Sequence, residues 1–264
     1  MSTSAPNAFS NHLAQWVYKE SIASVVLVQF LPKDIDGIKA LMKAVEPNLP
    51  RNQPKEVIDQ IKAKREIDSQ GVKCSTGFIV DALLEANENH VKVLTCAHPL
   101  DHVFNRKEET KFRQGQDERQ FVQAIVTHTD SVKDLMVLRV ERAQLRDCCR
   151  APHRPLVLAR SFPEPLEEVV VLSWPPYRPR TACKGETSHR GREYGEIFVD
   201  NPKTYTMRLS EVSILADAGS SGAPLLNGAR EVAGVLHGGS QSSLCYFISL
   251  RDLKEILKNW GLIN

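Results

Sequence analysis

Short apolar runs separated by turn-forming residues recur along most of the chain. In the first half, Ser24–Phe30, Thr76–Val80, His90–Ala97, Gln123–Thr129 and Leu135–Val140 are rich in Val, Ile and Leu, the pattern of short β-strands. A second set follows at Pro155–Ala159, Glu168–Trp174, Gly195–Asp200, Tyr205–Ser210, Ala223–Asn227, Glu231–Gly239 and Cys245–Leu250. Many short strands with turns between them predict antiparallel sandwiches or barrels.

Three stretches break the pattern. Residues 34–68 carry Pro47, Pro50 and Pro54 between two charged, helix-like pieces, with Val57, Ile58 and Ile61 on one helical face. Residues 105–119 are a mixed-charge loop. At the end, Leu253, Ile256, Leu257 and Trp260 fall on one helical stripe, with Ser249 as its expected cap and Asp252 three positions on. The segment Arg146–Pro155 reads as a linker between two β units. The chain thus divides into an N-terminal extension (1–19), a first β unit with the helical insertion (20–147) and a second β unit with the terminal helix (148–264).

Composition narrows the function classes. The 264 residues, 42% hydrophobic and 25% charged, are ordinary for a globular protein. A net charge of +2 gives no general attraction to nucleic acid or anionic lipid, and neither partner is expected. No apolar run reaches the ~18 residues of a membrane span, and the N-terminus lacks the features of a secretory signal. The six cysteines contain no C-x-x-C pair, so no metal site is expected. Six reduced thiols in an intracellular, cytoplasmic setting is the simplest reading.

Candidate chemistry lies at three places. In Val93–Asp101 an apolar strand ends at His98, where rigid backbone can hold a general base in a cleft. Asp134 directly precedes the apolar run Leu135–Val140 and could accept a proton from the far ring nitrogen of His98, fixing its tautomer. In Gly219-Ser-Ser-Gly222 the glycines permit backbone angles that would aim N–H groups at a developing oxyanion. Alone each is weak, since eight histidines and many Gly-Ser turns have other uses. Their conjunction, with His and Asp in the first unit and Ser in the second, carries the argument.

These motifs resemble those of the trypsin-like (chymotrypsin-fold) serine peptidases over about residues 20–260. Thr76–Val80 followed by Val93–Leu100 is similar to the strand that leads to the family's Thr-Ala-Ala-His, Asp134–Val140 to its aspartate strand, and Gly219–Asn227 to its Gly-x-Ser-Gly-Gly-Pro loop. The flavour is that of the HtrA/Deg-like and glutamyl-endopeptidase branches, without a PDZ domain. The resemblance implies an all-β fold of two antiparallel six-stranded barrels with a C-terminal helix. It implies peptide-bond hydrolysis by His98, Asp134 and Ser221, no cofactor, and protein or peptide substrates. Ser221 becomes the nucleophile, and the N–H groups of Gly219 and Ser221 the oxyanion donors. Ser220 stands where secreted trypsins carry an Asp, which implies no activation by a newly cut N-terminus. Leu215, Ala216, Leu236, His237 and Gly238 map to the substrate cleft, with His237 as a cleft-wall residue. Leu215 replaces the acid of trypsins, so a modest apolar preference is expected. The locally basic stretch Arg178–Glu193 is expected to be a loop near the cleft. The alternative is a peptidase fold retained as an inactive or weakly active interaction module.

Overall fold

The computed structural model describes residues 11–30, 73–80, 89–99, 121–148, 153–176, 178–201, 203–239 and 243–263. The expected insertion at 34–68 and the loop at 105–119 lie outside them.

Helix α1 (Asn11–Ser21) opens the described chain and passes through a 3-10 turn (Ile22–Ser24) into β1 (Val25–Phe30). Strands β2 (Lys73–Ile79), β3 (His90–Cys96), β4 (Ala124–Asp130) and β5 (Leu135–Glu141) complete an antiparallel sheet in the order β1-β2-β3-β5-β4. These are five strands among the described residues, against the six expected of a barrel. The period of two along β2, β3 and β5 sorts their side chains onto two faces. Ile79, Val93, Met136 and Leu138 fill a core private to this unit. Phe78, Leu94, Leu135 and Val137 join a larger core shared with the second unit. Burial on both faces is why apolar residues stand next to one another in these strands, as in Phe78-Ile79, Val93-Leu94 and Leu135 to Leu138, instead of alternating with polar ones.

Helix α2 (Arg142–Cys148) ends this unit. The chain then returns so that Leu156 N–H donates to Ile79 O at 2.8 Å, and enters β6 (Val157–Leu158). Strands β7 (Glu168–Ser173) and β8 (Thr181–Glu193) follow, then the one-turn helix α3 (Tyr194–Ile197), β9 (Arg208–Ser213), β10 (Pro224–Leu226), β11 (Glu231–Gly239) and β12 (Leu244–Ser249). They run β10-β7-β8-β9-β12-β11, and pairing of β10 with β11 closes a six-stranded barrel, with β6 parallel on the β11 edge. Helix α4 (Leu250–Asn259) packs Leu253, Ile256 and Leu257 into the shared core. The Ser249 hydroxyl accepts the Asp252 N–H at 3.2 Å, the expected cap. The mostly β, chymotrypsin-like architecture agrees with the sequence expectation, and no helix among the described residues is long and apolar enough to cross a membrane.

Two local expectations are corrected. Arg178–Glu193 is largely strand, not loop: β8 spans thirteen residues and pairs with β7 and β9. Its side chains are mostly exposed, so backbone pairing and cross-strand ion pairs such as Arg192–Glu211 (2.7 Å) sustain it without an apolar stripe. Gly195–Asp200 is not a strand. Glu193 and Glu196 close a reciprocal capping box that nucleates α3. Helix α1 begins within the N-terminal extension and buries Val17.

Candidate active site

Asp134 sits at the start of β5 in the left-handed region (φ 55°), a conformation that Asp tolerates better than most residues. This turn points its carboxylate at the end of β3, where it is fully buried and meets four donors. Oδ1 accepts the N–H groups of Ala97 (3.0 Å) and His98 (2.7 Å), while Oδ2 accepts His98 Nδ1–H at 2.8 Å. Antiparallel pairing of Cys96 with Leu135 sets the two strand ends side by side. The His–Asp juxtaposition therefore follows from the register of one strand pair.

The fourth donor comes from the second unit. His237 Nδ1–H reaches the same Oδ2 at 2.5 Å. It can do so because the β11–β12 register slips between Leu236 and Gly238. A bulge there turns the His237 ring toward the first unit, as bulges beside sites commonly do. Tyr205 and Tyr194 hold that ring edge-on, with centroids 5.0 and 5.9 Å away. The donor atoms of His98, Asp134 and His237 all lie within 4.8 Å of one another, a set of chemical types able to hold a metal ion. The N···O separations of 2.5 and 2.8 Å are those of hydrogen bonds. Ligands around one tetrahedral zinc stand about 3.3 Å apart, so an ion here would have to spread the three groups.

The Gly219–Gly222 loop is built by both units. Gly219 (φ +91°) and Gly222 (φ +85°) occupy left-handed backbone. A Cβ on Gly222 would stand 2.2 Å from Thr76 O, and one on Gly219 2.6 Å from Pro176 Cδ. Thr76 of β2 clamps the loop: its N–H donates to Ser221 O at 2.8 Å and its hydroxyl to Gly219 O at 3.0 Å. The same hydroxyl accepts Trp174 N–H at 2.9 Å. Ser220 turns inward to Ser173 Oγ at 3.1 Å and is buried. Ser221 faces the cleft side, and its hydroxyl donates to His237 O at 3.3 Å. No hydrogen bond joins Ser221 Oγ to His98 among the described residues.

Electrostatics follow from burial. Burial alone would raise the Asp134 carboxyl pKa, but the His98 charge and the hydrogen bonds from His237 and His98 overcome it and hold the carboxyl below the usual range. For His98, burial disfavours the imidazolium, while Cys96 and Asp134 favour it, and the balance is a pKa well above the ordinary 6.5. Cys96 can help only as a thiolate. It is fully buried, which pushes its thiol pKa up, so Asp134 is the cause that operates near neutral pH.

The structure thus brings His98, Asp134 and His237 into one cluster and sets Ser221 against the His237 backbone. Of the cleft candidates, Leu215 and Ala216 are exposed and Gly238 is open, with nothing within 4 Å of where its Cβ would be. Leu236 is corrected: its side chain lies in the shared core. His237 is more than a cleft wall, because it binds Asp134. Thr76 carried no sequence signal beyond standing beside the Gly-Phe pair of β2.

Two β units with a His–Asp pair on one and a glycine-flanked serine loop on the other define a chymotrypsin-like hydrolase fold. The chain matches the trypsin-like peptidase domain over residues 75–235, more than half its length, and belongs to that family. Among solved structures it is similar to the Rv3671c protease of M. tuberculosis. The active form shares 19% identity at a TM-score of 0.60, with 98% of this chain and 92% of that one covered. A serine-to-alanine mutant in an inactive form gives 18%, 0.58, 99% and 97%, and another inactive form gives 15%, 0.59, 98% and 98%. At these identities the likeness speaks for the fold. No curated protein matches the chain.

Proposed function

We propose that the protein is a serine endopeptidase that works through an acyl-enzyme. The observation that carries the reading is the buried Asp134 carboxylate gripping His98 through both its backbone N–H and its ring Nδ1–H. That grip leaves Nε2 as the lone-pair nitrogen, the tautomer a general base needs. Ser221 Oγ would attack the substrate carbonyl carbon as its proton passes to His98 Nε2. The oxyanion would take hydrogen bonds from the Gly219 and Ser221 N–H groups, neither of which is bonded within the described residues. His98 would then give the proton to the departing amine, and water would repeat the sequence to free Ser221. His237 would act as a positioning residue, its second hydrogen bond on Oδ2 steadying the carboxylate and sharing its charge. The exposed Leu215 and Ala216 and the open Gly238 support an apolar preference in the substrate. A peptide-library digest that cleaves mainly after Lys or Arg would remove that part.

One observation favours the second reading, an inactive fold kept as an interaction module: Ser221 Oγ rests on the His237 carbonyl instead of on His98. Activity requires that hydroxyl to rotate. Labelling with a fluorophosphonate probe separates the readings. The proposal expects the wild-type chain to label and Ser221→Ala not to. Equal labelling of both, or of neither, refutes it.

A further inference from the structure

A cavity of about 410 Å³ opens on the second unit, outside the Ser221–His98 cluster. Five cations line it: Arg160, Arg190, Arg208, Arg251 and Lys254. No lining residue is acidic. The five come from four separate segments: the stretch after β6, the distal part of β8, the start of β9, and α4. A local basic run does not explain them; the fold gathers them. Two are matched just outside the cavity, Arg190 by Glu164 at 2.7 Å and Arg208 by Glu193 at 2.5 Å. Lys254 Nζ donates only to a neutral group, the Arg160 carbonyl, at 3.1 Å. Arg160 and Arg251 have no ion-pair partner among the described residues. A third carboxylate, Asp252, accepts the Arg208 backbone N–H at 2.8 Å but is itself paired with Lys133 Nζ at 3.1 Å, so Arg160, Arg251 and Lys254 remain three cations without an ion-pair partner among the described residues around one cavity, in a chain whose total is only +2.

Gathering like charges costs free energy unless an anion answers them. Four of the five are guanidiniums, whose planar forks match phosphate oxygens two at a time. One phosphate carries about −1.5 to −2, so a single phosphate does not balance the site and two or more do. The cavity volume is that of small-molecule sites. Buried Phe162 and Leu250 give it an apolar floor, and Gly191 leaves room, with only Arg208 Cβ, 4.0 Å away, near where its own Cβ would be. We infer that this cavity is a binding site for a compact molecule bearing two or more phosphates.

The test is titration calorimetry on the full chain at about 0.15 M salt, where weak surface attraction is largely screened. Inositol hexakisphosphate is the probe, with inorganic phosphate for comparison. The expected result is one-to-one binding, with inorganic phosphate roughly a hundredfold weaker and the Arg160→Gln/Arg251→Gln variant roughly thirtyfold weaker. Both side chains are exposed, so the variant's melting temperature should match wild type; Lys254→Gln serves as a second variant. Sedimentation with phosphoinositide-containing vesicles identifies the source. Loss of co-sedimentation in the double variant points to a lipid headgroup, and soluble binding without co-sedimentation points to a free molecule; both sustain the site. No saturable heat up to millimolar probe, several equal sites, or undiminished binding by the double variant would overturn it.

Discussion

Replacing His237 by Leu removes one of the four hydrogen bonds to Asp134 without freeing the carboxylate. Oδ1 stays pinned by the Ala97 and His98 N–H groups at 3.0 and 2.7 Å, so the effect is electrostatic before it is positional. Oδ2 then faces His98 alone, its charge no longer shared with a second ring. A hydrogen bond to an ionised acceptor is worth about 1.5–3 kcal/mol. Bonds in one network change each other's strength by about 10–30%, and two donors on one oxygen weaken each other. The His98 imidazolium should therefore gain about 0.2–0.9 kcal/mol in the variant, or about 0.1–0.7 pH unit. His98 must be neutral to act as a base, so the reactive fraction grows as pH rises through its pKa. That midpoint should lie above 6.5 in the wild type and higher still in His237→Leu. The assay is the second-order rate of fluorophosphonate labelling against pH, with NMR titration of the His98 ring as a readout independent of activity. His237→Asn is the control, because its side-chain Nδ2–H can stand where the ring Nδ1–H stood while the stacking on Tyr194 and Tyr205 is lost. Its midpoint should stay with the wild type. A Leu midpoint at or below wild type, or an Asn midpoint displaced as far as Leu, would refute the argument.

Three further outcomes are expected. Asp134→Asn keeps an oxygen for the two backbone N–H groups but turns an amide donor toward both rings, so His98 loses its tautomer and labelling should fall by about 10³–10⁴-fold; a loss under tenfold would contradict the assigned role. Thr76→Val leaves the half-buried Trp174 N–H and Gly219 O without the hydroxyl they share, costing about 1–3 kcal/mol by urea unfolding, and Thr76→Ser should recover most of it. Because the folded His98 pKa is raised, its stabilising contribution is full below the unfolded value near 6.5 and is lost as pH rises through the folded value. Urea midpoints should accordingly decline across that window in the wild type, and His98→Gln should lack that component.

The legible parts of this fold are those where side chains carry the structural decision. Strands β3 and β5 are buried on two faces, so consecutive apolar residues such as Val93-Leu94 and Leu135 to Leu138 announce them. α4 announces itself by its stripe and by Ser249 reaching Asp252. The His98–Asp134 pair was legible for a related reason: both residues terminate such strands, and strand register does the rest. Where backbone decides, the apolar pattern misleads. β8 is held by ladders on both sides while its side chains face solvent, so its charge reads as loop. α3 overlaps Gly195–Asp200, whose Ile-Phe-Val run favours a strand, yet Glu193 and Glu196 closing on each other's N–H groups turn that chain into a helical turn.

His237 is the sharpest instance, and it bears on the candidate site. The resemblance places Leu236 and His237 together in the substrate cleft, His237 as a cleft-wall residue, whereas strand alternation sends neighbours to opposite faces. The bulge between Leu236 and Gly238 adds an unpaired residue and decides which face each takes. Leu236 goes to the core and the imidazole goes to Asp134. A one-residue slip in hydrogen bonding leaves no mark on hydropathy, because Leu in the core and His at a polar carboxylate are each locally satisfied. The consequence is chemical: the donor that completes Asp134 is itself a base, and its carbonyl is where the Ser221 hydroxyl rests. One residue thus touches both the orienting acid and the proposed nucleophile, so His237 substitutions with the backbone intact separate its ring's effect on His98 from its carbonyl's hold on Ser221.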